Sequence, residues 1–264
     1  MTVAAADRIS AFPRSFSLAG KTALVTGSHR GLGYAIALGL AEAGANVVCH
    51  SRGAKTSDIC DRIGALGRQT CTVAADLAQP GAAQTLMKAA ADRLGPIDIL
   101  VNNAGIIRRA PAEEYSLNDW KEVLSVNLDA VFELSQVAAR DMLRRKQGGK
   151  IVNIASLLSF QGGIRVPAYA AAKGAVAQLT KALANEWAAH GINVNAIAPG
   201  YMETDNTEAL RNDPARNRQI LERIPAGRWG QPDDLVGPAV FLSSSASNYV
   251  HGHVLVVDGG WLAR

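Results

Sequence analysis

"TALVTGSHRGLG", residues 22–33, is a short apolar run that ends in a glycine-rich turn and opens into a helical pattern. Val and Thr suit a strand, Gly27, Gly31 and Gly33 follow at once, and the 32–43 stretch has helical spacing. A strand that hands over to a helix through glycines begins a βαβ unit. The spacing is G-x-x-x-G-x-G and not G-x-G-x-x-G. Glycines let the main chain pass close to a pyrophosphate, and the start of the helix offers it free N–H groups.

Outward from this unit the alternation continues almost to the C-terminus. Candidate strands are "TALVT" (22–26), "NVVCH" (46–50), "QTCTVAA" (69–75), "DILVN" (98–102), "KIVNIAS" (150–156), "NVNAIA" (193–198) and "HVLVVD" (253–258). Helical patterns lie between them at 32–43, 55–66, 81–94, 117–146, 168–189 and 232–243. Ser116 with Asp119 makes a capping box for 117–146, and Pro232 with Asp233 and Asp234 opens the last helix. Strands separated by single helices form right-handed crossovers and hence a parallel sheet. Their continuous apolar character predicts a sheet covered on both faces. The expected fold class is α/β, doubly wound, in one domain spanning 18–264 after an extension, 1–17. Residues 200–230 read as an irregular polar insertion, and long loops in compact domains are commonly lids.

Bulk properties narrow the possible partners. The 264 residues are 48% hydrophobic and 19% charged, enough for one large core. The net charge of +4 is scattered; its densest cluster, "RDMLRRKQGGK" (140–150), suits the solvated end of a helix rather than a nucleic-acid site. Cys49, Cys60 and Cys71 show no C-x-x-C spacing and read as thiols in a reducing compartment. His251 and His253 have no carboxylate at ligand spacing, so no metal is expected. No run of about 18 apolar residues is present to span a membrane. "MTVAAADRISAFPRSF" lacks the apolar core of a secretory signal, and a cytoplasmic location is expected.

Further motifs fall where a dinucleotide would need them. Asp76 ends the third strand, placed to accept from an adenine amino group. "NNAG" (102–105) ends the fourth strand, at the crevice where strand order should reverse. Asn127 lies in the long fourth helix, and "PG" (199–200) with Thr204 follows the sixth strand. "VPAYAAAKGAV" (166–176) sets Tyr169 and Lys173 on one helical face, with Ser156 thirteen residues before Tyr169.

Taken in order, T-G-x-x-x-G-x-G, N-N-A-G, the helical Asn, Ser156, Y-x-x-x-K and P-G-x-x-x-T resemble the short-chain dehydrogenase/reductase family over residues 18–264. The resemblance implies a seven-stranded parallel Rossmann sheet, a nicotinamide cofactor and a homotetramer with 222 symmetry. It also implies hydride transfer at a carbinol carbon, with a proton to be moved on or off oxygen. Tyr169 is then the acid/base, and Lys173, one turn away, lowers the phenol pKa by stabilising phenolate and holds the ribose hydroxyls. Ser156, with Ser159 as a nearby competitor, hydrogen-bonds the reacting oxygen. Asn127 holds a water joining Lys173 to solvent. Expected cofactor contacts are Gly27, Ser28, Arg30, Gly31, Leu32, Gly33, Ser51, Arg52, Asp76, Leu77, Asn103, Ala104, Gly105, Tyr169, Lys173, Pro199, Gly200, Met202 and Thr204.

An NAD enzyme of this layout ends its second strand with an acid that grips the ribose 2′-OH. "NVVCHSRG" (46–53) has none, while Arg52 and Arg30 could pair with a 2′-phosphate, so NADP is favoured over NAD. "NNAGIIRR" (102–109), "IASLLSFQGGIRVPAYAAAKG" (154–174) and "VDGGWLAR" (257–264) resemble the branch of the family acting on 2-dehydro-3-deoxy-D-gluconate and 2-deoxy-D-gluconate, whose members are commonly NAD-linked. Arg108, Arg109 and Arg165 are the candidates for a substrate carboxylate, Arg108 foremost. Alternatives are a sister enzyme acting on gluconate, an unsaturated-uronate product or a 3-oxoacyl thioester, and a dinucleotide-binding regulator without activity.

Overall fold

Seven strands, β1 (Thr22–Val25), β2 (Asn46–Ser51), β3 (Thr70–Ala74), β4 (Ile99–Asn102), β5 (Gly149–Ile154), β6 (Ile192–Pro199) and β7 (Val254–Val257), form one sheet in the order β3-β2-β1-β4-β5-β6-β7. Every neighbouring pair is parallel. This computed structural model describes residues 14–53 and 57–264, so the first thirteen residues of the expected extension lie outside it. The crossovers run through α1 (Gly31–Glu42), α2 (Ser57–Ala65), α3 (Ala82–Leu94), α4 (Leu117–Leu124) with α5 (Ala130–Arg145), and α6 (Pro167–Trp187). Between β6 and β7 come α7 (Glu208–Arg211), α8 (Pro214–Arg223) and α9 (Val236–Ser243).

Alternate strand residues feed two cores, as a sheet covered on both faces demands. Ala23, Val25, Val47, Cys49, Ile99 and Val101 pack on one side with Ile36 and Leu40 of α1 and Leu242 of α9. Leu24, Val48, Leu100, Ile151 and Val194 pack on the other with Leu86 of α3, Leu134 and Met142 of α5 and Leu183 of α6. The chain leaves β1 toward β2 and β3 on one side and returns to β4 on the other. The crevice at the carboxyl ends of β1 and β4 is therefore the topological switch point.

Two segments differ from the sequence reading. The 117–146 pattern is not one regular helix: a π turn over Ser125–Asp129 separates α4 from α5. Ser116 caps α4 as expected, accepting from Asp119 N at 3.0 Å. Residues 200–230 are not irregular, because they carry α7 and α8. Asp213 caps α8 by accepting from Ala215 N and Arg216 N, Pro214 occupies its first turn, and Ile220 is buried beneath it.

Gly39 marks the tightest contact between α1 and α9. A Cβ there would lie 2.3 Å from Val236 Cγ1. Gly39→Ala should therefore lower stability, by about 1–3 kcal/mol of overpacking offset by the gain in helix propensity. In a Val236→Ala background the same change should stabilise. Urea unfolding of the four variants checks the change of sign.

Candidate active site

The end of β1 is fastened to the end of β4 by side chains of two quoted motifs. Thr26 Oγ1 accepts from Asn103 N at 2.9 Å and Ala104 N at 3.0 Å, and donates to Val101 O at 3.2 Å. Asn103 Nδ2 donates back to Thr26 O at 2.9 Å and Gly27 O at 3.1 Å. Gly27 adopts φ 65°, in the left-handed region, and a Cβ on Gly33 would meet Gly27 O at 2.2 Å. The glycines thus serve this packing as well as any ligand. No side chain caps α1, whose N-terminus opens on a cavity of about 820 Å³.

That cavity runs from the glycine loop to α6. Gly27, Arg30, Gly31, Leu32, Gly33, Ser51, Arg52, Asp76, Leu77, Asn103, Ala104, Gly105, Tyr169, Lys173 and Thr204 all line it. Four expected cofactor residues do not. Ser28 is buried and turned to β2, donating from N (3.0 Å) and Oγ (3.4 Å) to His50 O. Pro199 is buried at the end of β6. Gly200 and Met202 border a smaller adjoining hollow with Asp258.

At the glycine-loop end, β2 finishes in His50 and Ser51, and Arg52 follows. Ser51 Oγ donates to Gly53 O, and Asp76 Oδ1 accepts from Ala78 N at 3.1 Å. Arg52 is exposed on the rim. Arg30 reaches across the mouth to Asp205, 2.7 Å away, with both side chains about two-thirds exposed (64% and 65%). An ion pair that wet contributes at most about 1 kcal/mol, little enough for a phosphate to displace. His50 escaped the sequence reading, which weighed this stretch only for its missing acid.

At the catalytic end, Pro167 starts α6 and sets Tyr169 and Lys173 facing the cavity. Ser156 stands at the exit of β5, accepts from Leu158 N at 3.1 Å, and its hydroxyl is near enough to the Tyr169 phenol to favour phenolate. Ser159 is no rival: its hydroxyl donates to Lys173 O at 2.6 Å, tying the turn after β5 to α6. Asn127, wholly buried in the π turn, accepts from Ile106 N at 2.9 Å and donates to Ile106 O at 2.7 Å. Its amide therefore holds the loop after "NNAG", and it does not itself line the cavity.

The electrostatics differ from the simple picture of Lys173 tuning its neighbour. Burial pushes the Tyr169 phenol above its ordinary range, opposed by the Ser156 hydroxyl and the Arg109 charge. Lys173 lies 5.6 Å from the phenol ring centre and donates to Ile154 O at 2.5 Å. Burial lowers its amine to about 8.

The three arginines part company. Arg108 forms a bidentate pair with Glu122 (3.1 and 2.9 Å) and lies 3.7 Å from Asp119, so carboxylates already neutralise it. Arg109 donates to Asn206 O at 2.9 Å, in the turn beside Asp205, and it is the cation acting on Tyr169. Arg165, exposed at φ 63°, gives its carbonyl to Ala110 N at 3.1 Å.

The sequence profile of the family described as "Enoyl-(Acyl carrier protein) reductase" matches residues 27–262. The 2-dehydro-3-deoxy-D-gluconate 5-dehydrogenase of Dickeya dadantii is 54% identical over 250 residues, 95% of this chain and 98% of that protein. The chain belongs to the short-chain dehydrogenase/reductase family. It is an oxidoreductase. An Agrobacterium tumefaciens structure assigned as a 2-deoxy-D-gluconate 3-dehydrogenase, with bound NADP, shares 60% identity and a TM-score of 0.89 over 95% of this chain and 99% of that one. A gluconate 5-dehydrogenase from Burkholderia cenocepacia, in complex with NADP and tartrate, shares 44% identity and a TM-score of 0.92 over 96% and 99%.

A nicotinamide dinucleotide fits what the residues offer. The helix N-terminus is uncapped, the loop around Gly27 and Gly33 is tightly folded, and β2 ends without an acid. Among the described residues no His, Cys, Asp and Glu group could hold a metal ion, and no helix is long and apolar enough to cross a membrane.

Because Arg109 lowers the phenol pKa, Arg109→Gln should raise it. Alcohol oxidation, which needs phenolate, should then lose its acid limb at a higher pH than wild type. Salt at 1 M, where the Debye length is about 3 Å, should move wild type the same way. Paired pH–kcat/KM profiles check both shifts.

Proposed function

We propose that the chain is an NADP-linked dehydrogenase of a small sugar acid, with 2-dehydro-3-deoxy-D-gluconate or 2-deoxy-D-gluconate as substrate. The observation that carries this reading is that Tyr169 and Lys173 line one end of a cavity whose other end is the glycine loop, with Ser156 and the Arg109 charge acting on the phenol. The named relatives support the substrate class, and NADP in the solved neighbours supports the cofactor. Bound nicotinamide supplies a hydride acceptor or donor at C4.

The chain's residues then handle the oxygen. Ser156 holds the substrate oxygen beside the Tyr169 phenol, which gives or takes the proton. Lys173, fixed by Ile154 O, has donors left for ribose hydroxyls and for proton exchange. Arg109 pairs with the carboxylate, in place of Arg108, which Glu122 occupies. Arg52 and Arg30 meet the 2′-phosphate, and the turn at 204–207 closes the mouth as part of a lid. The same reading carries a homotetramer, supported by exposed Leu117 (76%) and Phe132 (41%) on α4 and α5.

Assays of the two named acids, gluconate and a 3-oxoacyl thioester with NADP(H) and NAD(H) decide between substrates. The highest kcat/KM is expected for one of the first two with NADP(H); preference for the thioester would overturn the reading. Tyr169→Phe should bind cofactor normally and lose about 10²–10⁴ in kcat. Arg52→Asp should move the ratio of kcat/KM from NADP toward NAD, and an unchanged ratio would place Arg52 away from the phosphate.

A further inference from the structure

His50, next to last in β2 and 2% exposed, borders the cavity beside the glycine loop. Its Nδ1 accepts from Gly27 N at 3.2 Å, and its Nε2 lies 3.0 Å from Ala75 O. Both contacts are satisfied by one species. A main-chain N–H can only donate and a carbonyl can only accept, so the ring is neutral and carries its proton on Nε2. The His50 carbonyl meanwhile takes two bonds from Ser28.

This one residue therefore ties three things together: the first glycine of the phosphate loop, the end of β2, and the carbonyl immediately before Asp76. Gly27 has left-handed φ, and its N–H would otherwise be held by nothing that β1 supplies in its strand register with β2 and β4. We propose that His50 is a positioning residue for the dinucleotide, its neutral imidazole setting the distance between the glycine loop and the Ala75–Asp76 corner where the adenosine half lies. The proposal rests on the nicotinamide-cofactor reading above and adds to it a residue that touches neither the reacting carbon nor the catalytic phenol.

Protonation would replace the Nδ1 acceptor by a donor facing another donor, Gly27 N–H. Burial first, then the His29 charge in the adjacent loop, lower the imidazole pKa, opposed by the Ala75 carbonyl. Other charged groups around the same end of the cavity are Arg30 from the glycine loop, Arg52 from the end of β2 and Asp76 from the turn after β3. A ring with a depressed pKa keeps its neutral arrangement through neutrality and loses it only as pH falls below the ordinary imidazole range. Cofactor affinity should follow that course.

The test is fluorescence titration with NADPH, without substrate, on wild type, His50→Gln and His50→Leu. Gln can present an acceptor and a donor from one amide, Leu neither. The Leu variant should bind NADPH about fivefold more weakly, the size of one or two neutral hydrogen bonds. Gln should recover most of the affinity and lose the acid-side weakening that wild type shows. If Leu fails to fold by circular dichroism, the pH profile of Gln against wild type still decides. Equal affinities in all three, or the same acid-side loss in Gln as in wild type, would overturn the proposal. Failure of wild type to bind NADPH or NADH at any pH would instead strike the cofactor reading itself.

Discussion

Everything at the active end of this molecule depends on how closely β1 and β4 are joined at their carboxyl ends. Parallel neighbours separate where a doubly wound sheet reverses direction, and a crevice opens there. Here the crevice is bridged at its root. Thr26 gathers two N–H groups of the Asn103–Ala104 turn, and the Asn103 amide returns two bonds to Thr26 and Gly27. Each such bond contributes only about 1 kcal/mol net, but leaving any of these buried groups unpaired costs more. The glycine loop is therefore held as part of the sheet rather than draped over it.

A second polar chain carries that rigidity to the catalytic helix. Asn102, one residue before the clamp, donates to Ser135 of α5 at 3.1 Å and to Asn153 of β5 at 2.9 Å, and Asn153 donates to Thr180 of α6 at 3.0 Å. Three residues beyond Asn127, α5 begins, so the π turn, β4, β5 and α6 are joined through buried side chains. Lys173 and Tyr169 sit about two and three turns from Thr180 on that helix. Among the described residues Lys173 has one acceptor, the Ile154 carbonyl, at the very end of β5. A buried amine so sparsely solvated is pushed down to about 8 and is readily neutralised, which suits a group that exchanges protons.

How much of this was legible in the sequence follows from the range of the interactions. The strand–turn–helix order, the parallel sheet and the spacing of Ser156, Tyr169 and Lys173 are local patterns, and the fold reproduces them within a residue or two at each end. The π turn was hidden because Asn127 acts on Ile106, 21 residues earlier, and nothing in the 117–146 periodicity signals it. The fate of the arginines was hidden for the same reason. Arg108 and Arg109 are adjacent in sequence, but one meets Glu122 on α4 and the other Asn206 beyond β6. Residues 200–230 looked irregular since their apolar positions are few. Ile220 and Ile224 find their partners in Leu157, Trp229 and Trp261, scattered over a hundred residues.

That last cluster also says which part of the 200–230 segment is held most firmly. Each large side chain buried there contributes about 1.5–3 kcal/mol, and Ile220, Ile224, Trp229 and Trp261 are all at most 5% exposed. The indoles are also satisfied, Trp229 donating to Asn217 at 2.7 Å and Trp261 to Gln161 at 3.2 Å. In the 204–212 stretch only Leu210 leans on this cluster among the described residues, and it is partly buried. It is held to the cavity rim by Arg30–Asp205 and by Arg109–Asn206, both at exposed side chains. Exposed ion pairs contribute about 0–1 kcal/mol. The balance of forces therefore sets α8 and the tryptophans as the firmly held end of the segment and the turn at 205–207, on the cavity rim, as the weakly held one.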